Sequence, residues 1–281
     1  MEITHNEHRQ CFETWVDGHR CELDYRIEPG RLIITHTGTA PELRGRGLAA
    51  LLAEQALRWA APLGLHLVPA CSYVQVYIER HPQWLRLLEP SPVQQVLNFW
   101  FGPLSSESDG QPRVAWFKKD ESFDDEVRQR FGALLEQALA GGLQSWDHSS
   151  FGTLAHVLLL DQFTRNAFRG QPRAFAGDAQ ALRSALALID RGLDTKLSTL
   201  QRWFIYLPLE HAEDLALQQR CVALFEALAG ADASLAGALD YAQRHLAVIE
   251  SFGRFPHRNA ILGRPSSAAE LDYLAQPGSG F

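Results

Sequence analysis

Residues 9 to 38 alternate between apolar and polar positions. Phe12, Thr14 and Val16 interleave with polar neighbours up to Asp17-Gly18, and Cys21, Leu23, Tyr25 and Ile27 alternate down to Pro29-Gly30. Leu32-Ile-Ile-Thr35 follows. A period of two broken by turn dipeptides predicts three strands. Asp-Gly is a strong hairpin signal, because a two-residue turn of this kind takes positive φ at both positions. That turn fixes the register: Val16 opposite His19, Thr14 opposite Cys21, Cys11 opposite Asp24. The thiols of Cys11 and Cys21 are then not opposite each other, and no disulfide is expected. After Thr39-Ala-Pro41 comes a glycine-rich turn, then a helix with Leu48, Leu51, Leu52, Ala56 and Trp59 on one side. Leu65 to Pro69 reads as a short strand and Ser72 to Arg80 as a short helix or turn. The first 89 residues therefore form an α/β unit.

From Pro92 the period becomes 3.6. Val127, Phe131, Leu134 and Ala138 share a helix face, as do Leu235, Leu239, Ala242, Leu246 and Ile249. Further helices are expected at 93–101, 150–168, 172–191, 198–206 and 207–229. Ser267-Ala-Ala-Glu270 is a capping box opening a last helix that Pro277 closes. The prolines of Glu89-Pro-Ser-Pro92 mark the boundary, and Gly102 to Pro112 reads as a loop. The predicted architecture is α+β with two domains, 1–89 and 92–281, the second all-α.

Composition narrows the function. The chain has 281 residues, 46% apolar and 21% charged, which is ordinary for two globular domains. Its 33 acidic against 26 basic residues give a net charge of −7, which argues against a global nucleic-acid binder. No apolar run approaches the ~18 to 20 residues of a membrane span. The start, Met1 to His8, has neither the basic flank nor the apolar core of a signal peptide. A reduced, cytoplasmic protein is expected, with no membrane or nucleic-acid partner.

Two groups of residues carry candidate chemistry. The first is the turn Arg44-Gly45-Arg46-Gly47-Leu48-Ala49, where a strand passes into a helix. This reads either as an anion site, where glycines let the backbone approach a ligand, free amides at the helix start favour an anion and the arginines add charge, or as a solvated strand-to-helix turn. The G-x-G-x-x-G spacing of dinucleotide sites is absent. Cys71 is a candidate nucleophile, or else a small apolar core residue. His36, His66 and His81 are weaker base candidates.

Residues 1–89 resemble the small GCN5-related N-acetyltransferases, specifically a short YjdJ-like subfamily. The resemblance is carried by Arg44, Gly47 and Ala49 between strand and helix, and by the run from Pro69-Ala-Cys-Ser-Tyr73 to Tyr77 and His81-Pro82. It implies acetyl-CoA with its pyrophosphate on the amides of residues 45 to 49 and pantetheine along the preceding strand. It also implies Tyr77 as the acid that protonates the departing thiolate. The domain lacks the helical region that builds the acceptor side in longer acetyltransferases.

The second group lies in the helical half. Asp161, Gln162, Arg165, Asn166 and Arg169 end one helix, and Glu210-His211-Ala-Glu213 opens another, with Asp214 and Gln218 on the face of His211. Gly253 to Arg264, with Arg254, His257, Arg258, Asn259 and Arg264, is an acid-free basic loop that echoes Phe163 to Phe168. These residues read either as a pocket for a carboxylate or phosphate, or as caps and bridges between helices. A metal site from His211, Glu213, His245 and His257 lacks a diagnostic spacing, and none is expected.

Residues 92–281 resemble the bacterial family known as domain of unknown function 924, all-helical and similar to tetratricopeptide-repeat domains. The matching stretches are Phe99 to Gly102, Trp116-Phe117, Leu160 to Asn166, Phe204 to Glu213, and Gly253 to Arg264, with departures at Thr164 and Ala212. This resemblance implies a fold and no activity. Together the readings predict an acetyl-CoA-dependent N-acyltransferase whose acceptor is an amine of a small molecule or peptide, recognised with help from the helical domain. The alternative is a coenzyme-A-sensing binding protein whose helical domain holds an anionic small molecule or peptide. A third possibility makes the helical domain a separate enzyme.

Overall fold

A computed structural model describes residues 2–28, 30–88, 90–102, 112–116 and 118–279. Pro29 of the second expected turn, Glu89 of the expected boundary, residues 103–111 of the expected loop and Phe117 lie outside the described residues. The chain divides into two compact units, Met1–Asp109 and Gly110–Phe281.

The first unit is built on a five-stranded sheet in sequence order: β1 (Thr4–Asn6), β2 (Cys11–Val16), β3 (His19–Glu28), β4 (Arg31–Gly38) and β5 (His66–Pro69). Asp17 and Gly18 take φ of 50° and 79°, and the β2–β3 register pairs Val16 with His19, Thr14 with Cys21 and Cys11 with Asp24, as the turn dictates. All four cysteines are free thiols. β1, a strand the alternation did not predict, adds three residues to the outer edge of β2.

β4 and β5 are parallel, joined through α1 (Leu48–Ala60). The buried stripe of α1 is Leu48, Leu52, Ala53, Ala56, Leu57 and Ala60. This corrects the expected stripe, because Leu51 is exposed. Trp59 instead packs its ring beside His5, Phe12 and Tyr25, where an aromatic on the rim of the sheet covers the apolar face. α2 (Ser72–Arg80) follows β5, and α3 (Pro92–Phe101), with Ser91 as its N-cap, groups with this unit.

The second unit is helical throughout its described residues. Its helices are α4 (Glu121–Leu139), α5 (Ser150–Val157), α6 (Thr164–Ala167), α7 (Asp178–Asp190), α8 (Thr199–Glu210), α9 (Leu215–Ala231), α10 (Ala236–Phe252) and α11 (Ala268–Leu274). The capping box of Ser267 and Glu270 forms as read from the sequence.

Three helix boundaries differ from the periodic pattern, each for a local reason. One turn of π-helix, Leu158–Phe163, joins α5 to α6, so the segment 150–167 is continuous yet locally widened. α7 starts only at Asp178, after a 3-10 turn at Pro172–Phe175, and Gly177 between them lies against the carbonyl of Leu160, where a β-carbon would come within 2.1 Å of the oxygen. α8 runs through Pro208 to Glu210 rather than stopping at 206. Glu210 and His211 therefore close a helix instead of opening one, and α9 begins at Leu215 with Asp214 as its N-cap. A proline costs an interior helix about 3 kcal/mol. Here it sits near the C-terminus, where Gln218 Nε2 donates to the carbonyls of Glu210 at 2.6 Å and Ala212 at 2.8 Å.

Candidate functional site

In the first unit the chemistry gathers where β4 and β5 part. Their ladder ends at Ile34 opposite Pro69, while β4 continues to Gly38. The amide of Cys71 still donates to Ile34 O at 3.0 Å, and beyond that residues 35–38 have no β5 partner. A splayed parallel pair leaves backbone donors and acceptors facing a gap that an extended amide-bearing chain can enter. Cys71 stands at the mouth of this gap as the residue before α2, with Sγ donating to Thr37 Oγ1 at 3.6 Å.

β4 then leads to the glycine-rich turn. Gly45 and Gly47 take φ of 79° and 77°, and nothing lies within 4 Å of where their β-carbons would be. Glycine is therefore needed for the left-handed backbone and not for packing, and the space above the turn is open. Gly47 caps α1 without any side-chain cap, so the first-turn amides of Leu48, Ala49 and Ala50 make no hydrogen bond among the described residues. Buried Leu48 anchors the turn. Arg46 pairs with Asp17 at 2.6 Å on the surface, whereas Arg44 has no partner among the described residues. Free amides, a helix N-terminus and a guanidinium with no partner among the described residues are groups of the kind that attract anions.

Tyr77 sits on the α1 side of α2. Its hydroxyl donates to Glu54 Oε2 at 2.9 Å, its ring stacks on His81 at 4.0 Å, and burial with the Glu54 hydrogen bond pushes the phenol up to about 12. Burial opposes ionisation of Glu54, but hydrogen bonds from Tyr77, Trp84 and Arg58 outweigh it and hold the carboxyl below its ordinary value. The Tyr77 proton is thus held by a carboxylate. His36 is exposed on β4 beyond the point of divergence, and His66 lies within the β4–β5 ladder. Thr37 and Glu54 are the partners the sequence reading missed. No periodicity marks them, because their roles come from contacts made across the sheet and between two helices.

The helical unit distributes its candidate residues over four ion-pair groups. Arg169 grips buried Asp124 through two bonds of 2.7 and 2.9 Å, and Asn166 donates to the same carboxylate. Arg254 clamps Glu270 at 2.6 and 2.8 Å. Arg264 clamps Glu213 at 2.6 and 2.8 Å and donates to Asn259 Oδ1, while Glu213 also accepts from Phe255 N. The fourth group is the deepest. Asp161, fully buried on the π turn, accepts from His211 Nδ1 at 2.7 Å and Gln162 Nε2 at 2.6 Å, with Arg165 Nη1 at 3.2 Å. Arg165 also donates to Asp178 at 2.9 and 3.2 Å. Arg258, held between the rings of Phe175 and Phe255, donates to His211 O at 3.0 Å.

Burial and this balance of charge perturb the titrations. Burial opposes ionisation of Asp161, but Arg165 and His211 hold it well below the ordinary carboxylate range. Burial, helped by the Asp161 charge, pushes Glu210 up to about 8. His245, whose Nδ1 donates to Tyr241 O and lies 3.3 Å from Glu210 Oε1, is driven down to about 3 by burial. Burial and Arg258 take His257 down to about 4. Among the described residues no group of three or more His, Cys, Asp or Glu side chains is arranged to hold a metal ion.

Comparison with known proteins finds two family segments, the second of which begins at residue 96, within the first compact unit. Residues 11–87 match the model of the GCN5-related N-acetyl-transferases. Residues 96–278 match a family described as a bacterial protein of unknown function, DUF924. Over 95 residues the chain is 30% identical to Protein NATD1 of Mus musculus and of Homo sapiens, covering 32% of this chain and 86% and 84% of those proteins. A solved structure, the protein of unknown function ATU0120 from Agrobacterium tumefaciens, is 38% identical with a TM-score of 0.57. That match covers 65% of this chain and 96% of the other. With most of its length inside one family model and an open-edged sheet matching another, this chain belongs to the DUF924 family and carries a GCN5-related N-acetyltransferase segment ahead of it.

Proposed function

We propose that the chain is an acetyl-CoA-dependent N-acetyltransferase. The observation that carries this reading is the continuity of one open path. It runs from the unpaired edge of β4 at residues 35–38 to the left-handed turn Gly45–Gly47 and the uncapped start of α1, with unpaired Arg44 alongside. The groups present fit a coenzyme: the amides of residues 45–49 and Arg44 would hold a pyrophosphate, and the β4 edge would pair with pantetheine amides. Acetyl-CoA, when bound, supplies an activated acyl thioester.

The chain's own residues divide the remaining work. Cys71, placed where β4 and β5 separate and oriented by Thr37, is the proposed nucleophile. Tyr77 is the other candidate. Its phenol, with a proton donated to Glu54, is better suited to positioning α2 than to giving that proton up. The acceptor is an amine of a small molecule or peptide, and in this reading the helical unit aids its recognition.

The test is acetyl transfer to a panel of amines and amine-bearing peptides, followed by mass spectrometry on the full chain. Transfer that depends on Cys71 supports the reading. Coenzyme binding with no transfer to any acceptor would favour a sensing protein instead.

A further inference from the structure

The helical unit holds a second constellation that acetyl transfer leaves unused. Three segments far apart in the chain, around residues 161–165, 210–213 and 254–258, meet at one imidazole. His211 donates its Nδ1 proton to Asp161, so the other ring nitrogen, Nε2, carries a lone pair. That nitrogen makes no hydrogen bond among the described residues, and the side chain is 15% exposed. A histidine placed purely for packing satisfies both nitrogens or turns the unused one into the core. Here one is fixed and the other is left available at the surface.

The supports of this ring are unusually rigid. Asp161 is fully buried and held from three sides, by His211, by Gln162 and by Arg165. It stands on a π turn, a device often found at functional sites, and α7 is pressed onto that turn by the close approach of Gly177 to Leu160 O. The His211 carbonyl is tied by Arg258, which is itself sandwiched between two phenylalanine rings. A buried carboxylate that fixes the tautomer and orientation of a partly exposed imidazole is the arrangement of a general base. Arg165, engaged with Asp161 and Asp178, and Arg258, engaged with the His211 carbonyl, hold the ring's surroundings in place.

We propose that His211 Nε2 is a general base that activates water for hydrolysis of a small carboxylic ester, an activity separate from acetyl transfer. In the step, Nε2 takes a proton from water as the water oxygen bonds to the acyl carbon. The tetrahedral adduct then expels the alcohol oxygen, which receives the proton from the imidazolium, leaving acid and alcohol. Burial and the charges of Arg165 and Arg258 lower the imidazole below its ordinary 6.5 against the pull of Asp161, so the base is free at neutral pH. The charged and titratable groups facing it are Asp161 on the π turn, Arg165 on α6, Asp178 on α7, Glu210 on α8, His245 on α10, and His257 and Arg258 on the turn Pro256–Arg258.

The experiment uses p-nitrophenyl acetate as probe and the full chain with Cys71→Ala, so that the thiol of the first unit takes no part. Saturable release of p-nitrophenolate is expected, rising with pH through one ionisation below 6.5 and then flat to pH 8. Adding His211→Gln should lower the rate at least ten-fold, while the exposed His148→Gln should leave it unchanged. Equal rates with and without His211, or a rate that never saturates, would overturn the proposal. Should the His211 variant fail to fold, diethyl pyrocarbonate on the folded C71A chain gives an independent answer. Carbethoxylation of His211 that abolishes hydrolysis, with recovery in hydroxylamine, supports the proposal, and hydrolysis surviving that modification contradicts it.

Discussion

The two units handle charge in opposite ways. At the turn after β4, cationic and donor groups stand without partners among the described residues: Arg44, the amides of Leu48 to Ala50, and the edge of β4 at residues 35–38. In the helical unit every candidate arginine meets a carboxylate, from Arg165 with Asp161 and Asp178 to Arg264 with Glu213. The first arrangement leaves its donors free for a ligand. The second satisfies its guanidinium charges internally and leaves the His211 Nε2 without a hydrogen bond among the described residues. An arginine-rich stretch in a sequence therefore says little about ligands until its acids are located, because buried guanidinium–carboxylate pairs and ligand-ready guanidiniums share one composition.

This contrast can be broken first in the helical unit. Asp161→Asn removes the buried carboxylate that His211 and Arg165 share and leaves Arg165 with Asp178 alone, and breaking a buried pair in this way costs about 3–5 kcal/mol. Chemical denaturation should show it as a lowered midpoint with an unchanged slope, and a loss below about 1 kcal/mol would mean the network is not the keystone described.

Next in size is the effect of Cys71→Ala on acetyl transfer. A loss of about 100-fold or more in kcat, near 3 kcal/mol, is expected if the thiol reacts. Tyr77→Phe should cost less than that, because its proton already belongs to Glu54. A reversed ranking would move the chemistry to the phenol.

Glu210 gives a pH signature. Its folded value of about 8 exceeds the ordinary 4.5, so the native state binds the proton more tightly and this contribution to stability is lost as pH rises from about 4.5 through 8. His245 has the opposite sign: held neutral down to about 3, it destabilises the fold as pH falls through 6.5 toward 3. Glu210→Gln should therefore raise Tm at pH 8 relative to the parent, with the gap closing near pH 5. A gap independent of pH would show that Glu210 does not titrate in this way.

The smallest effect belongs to Arg46→Ala. Its pair with Asp17 is exposed on both sides, and the expected change in stability is below about 1 kcal/mol. A larger loss would make the turn a structural clamp.

Much of the first unit was legible because its signals are local. Asp17-Gly18 sets the β2–β3 register outright, and the glycines at 45 and 47 mark the left-handed turn between strand and helix. β1 escaped because three polar residues carry no period. In the second unit periodicity found the helices but misplaced the most informative boundaries. A π turn has no distinct apolar repeat, and Pro208 lies inside α8 where a sequence rule predicts a break. The convergence of Asp161, His211 and Arg258 depends on both of those irregularities. Similarity of Phe163 to Phe168 with the 255–261 loop hinted at related segments without showing that they meet.

The central claim is that the turn after β4 is built to receive the coenzyme pyrophosphate. Its most direct test is calorimetric titration of acetyl-CoA into the full chain and into a variant with Arg44→Glu and Gly47→Asp. Micromolar binding that weakens at least about 100-fold in the variant is predicted, since two charge-assisted contacts of about 1.5–3 kcal/mol are reversed or blocked. No heat of binding from the parent chain, or equal affinity in both, would contradict it.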